Sequence, residues 1–323
     1  MLDRSKINKI LVVSLTNIGD VILTFPVIDI LKRDFPSAGL SVVIGPKAES
    51  LFCGNPHLDN IYVFDKHQLP LKTLSWVLEL RRQYFDLVVD LRNTAIPFII
   101  APRYRTSCRV DKASNVHMRD KHLSRLSSVY DFEVEAIAAR ALFIPDPDKN
   151  HIKEFINTKI GIGQKYVVIA PGAADSSKQW SEEKFAYVCD RLIADHNVKI
   201  VFVGDEKDRN VVRRIDKLME SGSLNLCGRT SLVQLAELFR HCFFTIVNDS
   251  APMHLASYLN VPVLALFGPT EPQKYGPWGT RSHMIKKGFD CPACREPKNA
   301  YKHTCMQAIS TEDVLGAMDH FIR

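Results

Sequence analysis

The chain has 323 residues, of which 46% are hydrophobic and 24% are charged, and its formal net charge is +6. These proportions are average for soluble globular chains and exclude a mostly disordered chain, a collagen-like chain and a small disulfide scaffold. No stretch reaches the ~18 apolar residues that a membrane-spanning helix needs. The eight cysteines are mostly scattered singly, which favours a reduced, cytoplasmic protein over a disulfide framework.

Short apolar runs alternate along the chain with amphipathic stretches of helical periodicity. Most of the runs are continuous Val, Ile, Leu and Phe segments, which is typical of parallel strands covered on both faces. The alternation predicts right-handed βαβ crossovers and doubly wound α/β sheets. The predicted strands are 10–15, 40–44, 61–64, 87–91, 166–170, 199–203, 243–247 and 261–267, and the predicted helices include 20–34, 71–84, 181–196 and 232–241.

The stretch 143–164 has two prolines, several charges and no long apolar run. A second strand–loop–helix pattern begins directly after it, so we interpret it as the junction between two Rossmann-like domains, residues 1–150 and 151–323. The length of the chain also suggests about two domains. In sheets of this type ligands bind at the carboxyl ends of the strands, so a ligand site is expected in the loops that follow strands.

The positive charge is concentrated in one segment. Residues 92–125 contain eight basic and two acidic side chains, so this segment carries the whole +6 and the remainder of the chain is neutral. Such a segment can bind nucleic acid, an anionic membrane or an acidic substrate, and composition alone does not choose among them.

The loop after the first predicted strand ends in Gly19 and Asp20, directly before an apolar helical pattern. One interpretation is structural, because Asp is among the best helix N-caps. The other is catalytic, because a carboxylate at the mouth of an inter-domain cleft can take a proton from a substrate hydroxyl.

Two loops in the second half carry polar residues after strands. The loop 171–180 is rich in small residues and ends in Lys178 before a helix, so it is either an ordinary loop with a solvated lysine or an anion site. In the second loop, Asp249 and Ser250 follow a strand and Pro252 begins a helix, whose N-terminal amides favour a diphosphate. His254 is either a packing residue or a donor to sugar or phosphate.

Three motifs together resemble the heptosyltransferases of glycosyltransferase family 9. They are NIGD at 17–20, PGA…KQW at 171–180 and NDSAPMHLA…PVLALFGPTEP at 248–272, in matching order and spacing across nearly the whole chain. The resemblance implies the GT-B architecture, in which two Rossmann-like domains face each other across a cleft. It also implies an inverting transfer without a catalytic metal, with a nucleotide-diphosphate heptose donor, ADP-heptose, in the second domain and the acceptor in the first.

The resemblance also implies roles for individual residues. Asp20 takes the place of the general base, and Lys178 that of the lysine at the donor phosphates. Asp208 best matches the acidic residue that binds the nucleoside ribose, with Glu206 as its rival. The donor-binding loop and helix start correspond to Asp249, Ser250, Ala251, Met253 and His254. The family commonly has Gly where this chain has Ala251, and a Cβ there is costly if the backbone needs a positive φ.

The resemblance implies a ligand for the basic segment, namely the acceptor substrate of the transfer. An inner-core lipopolysaccharide carries phosphates and carboxylates, which suit the planar guanidinium of arginine. Arg92, Arg103 and Arg105 are therefore predicted to bind this lipid-linked acceptor, with a solvated basic face as the alternative. We expect no nucleic-acid partner, and a peripheral contact of this cytoplasmic enzyme with the inner face of the cytoplasmic membrane.

Near the C-terminus, Cys291 and Cys294 form a CxxC pair that is followed by His303 and Cys305. Four such ligands suit a structural Zn or Fe ion, and free cysteines or an occasional disulfide are the alternatives. This cluster is predicted to be structural, and the resemblance implies that no cofactor is required for catalysis.

Two other functions remain open from the sequence. One is a nucleotide-sugar 2-epimerase on a related two-domain scaffold, which would convert the donor without an acceptor. The other is a non-enzymatic protein that binds anionic glycans or nucleic acid through the segment 92–125. The lack of a known nucleic-acid-binding motif and the neutral remainder of the chain argue against the latter.

Overall fold

The computed structural model describes residues 2–14, 16–65, 70–108, 116–134, 139–287, 291–295 and 304–322. The chain divides into two compact units, Met1–Phe143 and Ile144–Arg323. This division lies a few residues before the position expected from the sequence. The helix that begins at Asp146 packs on the second unit, where the Gln234 side chain donates a hydrogen bond to Asp148 over 2.8 Å.

The first unit is built around a parallel sheet, which has five strands within the described residues. The strand order is β3-β2-β1-β4-β5, so the chain starts in the middle of the sheet and builds outward in both directions. The elements are β1 Lys9–Val13, α1 Ile18–Ile22, α2 Phe25–Asp34, β2 Gly39–Ile44, β3 Asn60–Val63, α3 Pro70–Arg81, β4 Leu87–Asp90, α4 Ile96–Ile100, β5 Tyr104–Arg105 and α5 Met118–Ser127.

The second unit repeats this plan with a parallel sheet of six strands in the described residues, in the order β11-β10-β9-β6-β7-β8. Its elements are α6 Asp146–Phe155, β6 Tyr166–Ala170, α7 Glu182–His196, β7 Lys199–Phe202, α8 Arg209–Leu218, β8 Leu224–Asn225, α9 Leu232–His241, β9 Phe244–Asn248, α10 Ala251–Tyr258, β10 Val263–Phe267, α11 Pro272–Tyr275, β11 Ser282–Lys286, α12 Pro292–Arg295 and α13 Thr311–Ile322.

The central strands explain why the sheets form. Every residue of β4, β6, β9 and β10 is buried, as expected where helices cover both faces of a parallel sheet. The predicted doubly wound α/β class is therefore confirmed. Among the described residues, no helix combines the length and the apolar character needed to cross a membrane.

The segment predicted as one helix over 20–34 is two helices. The first, α1, ends at Ile22, and Pro26 lies in the first turn of α2, where a proline is tolerated because its nitrogen needs no helical partner. Between the two helices the Thr24 hydroxyl donates to the carbonyl of Val21 over 2.6 Å and lies 2.8 Å from the Ser14 hydroxyl. These two contacts of Thr24 connect the end of α1 to the residue that follows β1.

Candidate active site

Lys178 and Asp249 form an ion pair at the carboxyl ends of two neighbouring strands, β6 and β9. Lys178 Nζ lies 2.7 Å from Asp249 Oδ2, and the side chains are 30% and 6% exposed. A short 3-10 turn presents the lysine, and the Asp175 carboxylate caps this turn by accepting from the amide of Ser177 over 2.9 Å. The structure thus brings together two residues that are 71 positions apart in the sequence, and it leaves the ammonium partly open to solvent.

Asn248, the last residue of β9, ties the two loops together. Its side-chain amide donates to the carbonyl of Pro171 over 2.7 Å, and its own carbonyl accepts from the Ser250 hydroxyl over 3.1 Å. Asn248 Oδ1 is buried and has no hydrogen-bond partner among the described residues. Sequence reasoning did not single out this residue, although its place directly before the Asp-Ser pair was a usable signal.

The start of α10 lies directly after this pair. Ser250 is the N-cap in an extended conformation, and Ala251 and Pro252 open the helix with ordinary helical backbone. Because Ala251 does not need a positive φ, its Cβ carries no conformational penalty here. Met253 is fully buried and its amide donates to Ser250 O over 3.1 Å, so it supports the helix start. His254 is 6% exposed and stacks on Trp278 with the rings 5.9 Å apart.

Asp208 lies against the same loop from the next strand along the sheet. A Cβ added at Gly172 or Gly204 would overlap the Asp208 carboxylate, so both glycines are needed for this close approach. The carboxylate accepts from the amide of Asp205 over 2.9 Å. Burial raises the pKa of Asp208 above its usual value, and the accepted hydrogen bond opposes this shift.

Glu206, the rival to Asp208, has a different environment. Its side chain is 66% exposed and lies 2.7 Å from the Arg209 guanidinium in an ion pair at the start of α8. Asp208 contacts the loop after β6 through Gly172, whereas Glu206 is held by the arginine one turn further on. This contact favours Asp208 for the role at the donor.

In the first unit, Asp20 lies in the first turn of α1 and is half-buried. The N-cap position belongs to Asn17, which excludes the structural interpretation of Asp20 as the helix cap. The reason is that the helix begins at Ile18, two residues before the start expected from the apolar pattern. The Asn17 side-chain amide donates to Asp20 Oδ2 over 3.0 Å. Because the donor is an uncharged amide, this hydrogen bond orients the Asp20 carboxylate without placing a cation beside it.

Asp90, at the carboxyl end of β4, organises the loop that carries Arg92. This carboxylate is 5% exposed and accepts from the amides of Arg92 and Thr94 over 2.9 and 2.6 Å. Its own amide donates to the Thr106 hydroxyl over 2.9 Å, which links β4 to the end of β5. The sequence did not single out Asp90, because only the fold shows that its carboxylate oxygens accept hydrogen bonds from the backbone amides of this loop.

The predicted acceptor arginines are spread along β4 and β5: Arg92 follows the carboxyl end of β4, whereas the strand Tyr104–Arg105 pairs with Leu87 and Val88 at the amino end of β4. Arg92 is half-buried and lies 5.8 Å from the Phe64 ring centre, whereas Arg103 and Arg105 are exposed at either end of β5. Arg105 stacks over Phe98 at 4.2 Å. Elsewhere in the basic segment, Arg119 is paired with Asp120 over 2.7 Å, and residues 109 and 112 lie outside the described part of the chain.

The cysteines near the C-terminus converge. The sulfur atoms of Cys291, Cys294 and Cys305 lie within 4.8 Å of one another, and His303, the fourth predicted ligand, lies outside the described residues. Burial and the two neighbouring thiols raise the pKa of Cys294 to about 12. Three converging thiol ligands fit a Zn or Fe ion. A bound cation would stabilise the thiolate form, which burial and the neighbouring thiols otherwise disfavour.

A buried histidine on α5 predicts a pH-dependent stability. His122 is 2% exposed, neither ring nitrogen has a hydrogen-bond partner in the described part of the chain, and burial, with Arg125 and His117, lowers its pKa from 6.5 to about 4. The unfolded chain therefore binds a proton that the folded chain does not, so stability falls as pH falls from about 6.5 to about 4. The loss is about 3 kcal/mol.

Urea unfolding of the His122→Leu variant checks this expectation, because the substitution keeps the bulk and removes the titration. The variant should lose less stability than the wild type between pH 7 and pH 4. His151→Gln, which changes an exposed histidine on α6, should follow the wild type. Equal acid sensitivity in the His122→Leu variant and the wild type would contradict the role of His122.

Two doubly wound parallel units, the second with a lysine-bearing loop and a helix start at adjacent strand ends, match the two Rossmann-like domains of the GT-B class of glycosyltransferases. The chain belongs to glycosyltransferase family 9 (heptosyltransferase), whose family model matches residues 75–305. The family resemblance inferred from the three motifs is therefore confirmed.

Individual relatives cover nearly the whole chain. Lipopolysaccharide heptosyltransferase 3 of Escherichia coli is 26% identical over 331 residues, which span 94% of this chain and 96% of that protein. The glycosyl transferase family 9 structure from Veillonella parvula has a TM-score of 0.81 at 24% identity, covering 98% and 97% of the two chains. The E. coli ADP-heptose lipopolysaccharide heptosyltransferase II has a TM-score of 0.77 at 19% identity, covering 97% and 98%. These structures confirm the predicted GT-B fold.

Proposed function

We propose that this glycosyltransferase moves a heptose from ADP-heptose to the inner core of lipopolysaccharide, with inversion at the anomeric carbon and without a catalytic metal. The observation that carries the proposal is the Lys178–Asp249 pair beside the start of α10. The names of the similar proteins, a lipopolysaccharide heptosyltransferase and an ADP-heptose heptosyltransferase, support the choice of donor and acceptor.

The second unit holds the donor in this proposal. Lys178 and the amides at the start of α10 bind the diphosphate, and the Asp208 carboxylate accepts hydrogen bonds from the ribose hydroxyls. A buried carboxylate and a diphosphate repel each other unless a cation lies between them. Asp249 therefore acts as a positioning residue that holds the lysine rather than as a ligand. The lysine and the helix dipole stabilise the leaving diphosphate, which is the task a divalent ion performs in other transferases.

The first unit supplies the base. As the bond between the anomeric carbon and the diphosphate oxygen breaks, an acceptor hydroxyl attacks the opposite face of the sugar and its oxygen bonds to the anomeric carbon. Asp20 takes the proton of that hydroxyl, and the electron pair of the broken bond leaves with ADP. Attack on the opposite face inverts the anomeric centre.

The donor is tested by a thermal-shift screen of nucleoside diphosphates against the purified protein. A ligand that binds only the folded state raises the melting temperature. We expect ADP to give a larger shift than UDP, GDP or CDP at equal concentration. A preference for UDP, or no shift with any diphosphate, would contradict the proposed donor.

A second incubation separates transfer from epimerisation. With donor alone, a 2-epimerase converts the nucleotide sugar, whereas the proposed transferase leaves it intact until an acceptor is added. Membership of a glycosyltransferase family favours the transferase. Accumulation of an isomerised nucleotide sugar without acceptor would support the epimerase instead.

We further propose that Arg92, Arg103 and Arg105 bind the phosphates and carboxylates of the acceptor. The lipid anchor of that acceptor would bring the enzyme from the cytoplasm to the inner face of the cytoplasmic membrane. The exposure of Arg103 and Arg105 leaves both guanidinium groups accessible, which supports this role.

Salt dependence tests the acceptor arginines. The affinity for a deacylated, water-soluble acceptor should fall steeply with added salt, because exposed charges are screened. Replacing Arg103 and Arg105 by Glu should lower this affinity about ten-fold and flatten its salt dependence. Lys153→Glu with Lys159→Glu, which reverses two exposed lysines of the second unit, serves as the charge-matched control. Affinity that does not respond to salt in the wild type would argue against the arginines.

We also propose that Cys291, Cys294 and Cys305 hold a structural Zn or Fe ion, with His303 as the fourth ligand. The support is the convergence of three sulfur atoms in a segment whose small buried cluster consists of these cysteines and Ala293. When bound, the ion would tie this segment together and would not take part in the transfer.

Metal analysis of the purified protein tests this site. We expect a stoichiometric Zn or Fe ion in the wild type and a large loss of it in Cys305→Ser, with a lowered melting temperature. Cys108→Ser, which changes an exposed cysteine, should retain the ion. Wild-type protein purified without a stoichiometric metal would count against the site.

A further inference from the structure

The helices α3 and α4 expose apolar side chains that the proposed reaction does not use. Leu74 and Leu78, one turn apart on α3, are 47% and 43% exposed, and Phe98 on α4 is 54% exposed. The two helices pack against each other, while Val77 and Leu80 on the other side of α3 are buried in the core. The exposed leucines are therefore not needed to hold α3 on its unit.

Cationic side chains accompany these apolar groups. Arg81 and Arg82 at the C-terminal end of α3 are exposed, and Glu79 is the only carboxylate in the sequence from 73 to 82. The Arg105 guanidinium lies 4.2 Å from the centre of the Phe98 ring, so a cation also lies beside this exposed aromatic side chain. Exposed Leu and Phe beside Arg is the composition of segments that lie at the interface of anionic membranes.

We propose that Leu74, Leu78, Arg81, Arg82 and Phe98, here the α3–α4 surface, dock this enzyme on an anionic phospholipid bilayer. The inference rests on the proposed function only in that a lipid-linked acceptor makes such docking useful. The charges favour a bilayer over an apolar protein groove, because arginines at the rim pair with phosphate headgroups while the leucines enter the acyl boundary.

Docking on this surface adds two contributions that can be measured separately. The leucines contribute an apolar term that does not depend on lipid charge, and the arginines contribute a term that weakens with salt and disappears on neutral lipid. A protein partner would instead require complementary shape and would not respond to the charge of a lipid.

Vesicle co-sedimentation of the full chain, without donor or acceptor, tests the surface. Wild type should bind vesicles of phosphatidylethanolamine and phosphatidylglycerol much more tightly than phosphatidylcholine vesicles. Leu74→Ser with Leu78→Ser should lower the partition coefficient by about ten-fold or more. Leu218→Ser, which changes a 48% exposed leucine on α8, is the matched control and should bind as wild type. Thermal melting confirms that each variant is folded.

A second measurement locates the contact. Trp76 packs with Phe64 against the core, with ring centres 5.2 Å apart, and Trp180 and Trp278 lie in the second unit, so a reporter at the surface itself is needed. Brominated phosphatidylglycerol should quench the fluorescence of Leu78→Trp more strongly than that of Leu218→Trp, whose reporter lies on α8. Equal quenching in the two variants would place the membrane contact elsewhere and overturn the proposal.

The outcomes separate this proposal from the proposed function. Equal binding to both vesicle types, no binding to either, or unchanged binding of the Leu74→Ser, Leu78→Ser variant overturns the α3–α4 surface, whether or not transfer occurs. Transfer to a deacylated, water-soluble acceptor tests the reaction alone. The double variant should retain that activity and should lose about ten-fold in transfer to an acceptor embedded in anionic vesicles.

Discussion

Asp20→Asn should lower the rate of heptose transfer by about 10²–10⁴-fold while leaving nucleotide binding unchanged. The substitution is nearly isosteric, and an Asn oxygen at this position can still accept the hydrogen bond that Asn17 gives to Asp20 over 3.0 Å. The helix α1 should therefore keep its geometry, and only the capacity to accept a proton is lost. The measurement is a transfer rate at saturating donor, accompanied by ADP affinity from calorimetry.

Glu49→Gln is the matched control for Asp20→Asn. Glu49 is an exposed carboxylate in the 3-10 turn Pro46–Leu51, which packs against α1 in the same unit. Its neutralisation removes the same charge nearby without touching the proposed base. Transfer at the wild-type rate in Asp20→Asn would remove Asp20 from the mechanism. An equal loss in both variants would show that a general electrostatic effect is being measured.

Lys178→Met should weaken ADP binding by about 10–100-fold, because a charge-assisted hydrogen bond contributes about 1.5–3 kcal/mol. It should also lower the free energy of unfolding by about 2 kcal/mol, since Asp249 is 6% exposed and loses its cation. This figure is below that for a fully buried pair because Lys178 is 30% exposed. Lys217→Met, which changes an exposed lysine on α8, should alter neither quantity.

The double variant Lys178→Met, Asp249→Asn separates binding from stability. Removing the buried negative charge should restore most of the lost stability, because no uncompensated carboxylate remains. Affinity for ADP should stay low, because the cation is still missing. Wild-type ADP affinity in either Lys178→Met variant would show that the lysine only supports the fold.

The sequence predicted the sheets well where strands are continuous buried runs. The strand 166–170 and the helix 232–241 match β6 and α9 to the residue. The short edge strands β5 and β8 were missed, because a two-residue strand has no periodicity and forms only through its neighbour. β11 was also missed, since its sequence SHMIK has only two apolar residues and neither alternates nor forms a long apolar run.

The candidate site was predictable where a motif follows a strand, and less so where contacts are remote in sequence. Lys178 and Asp249 were named separately, but only strand order places β9 beside β6 and lets them pair. The contact of Asp208 with Gly172 and the hydrogen bonds of Asp90 likewise depend on the fold. The net charge of the basic segment does not show which of its cations are free to bind a ligand, because only the structure shows that Arg119 is paired with Asp120.

The most direct test of the proposed function follows the fate of ADP-heptose by NMR spectroscopy with a deacylated inner-core acceptor. We expect ADP release to require the acceptor and the heptose to appear on the acceptor with inverted anomeric configuration. Each released ADP should correspond to one transferred heptose. Retained configuration, or consumption of donor at the same rate without acceptor, would contradict an inverting heptosyl transfer by this enzyme.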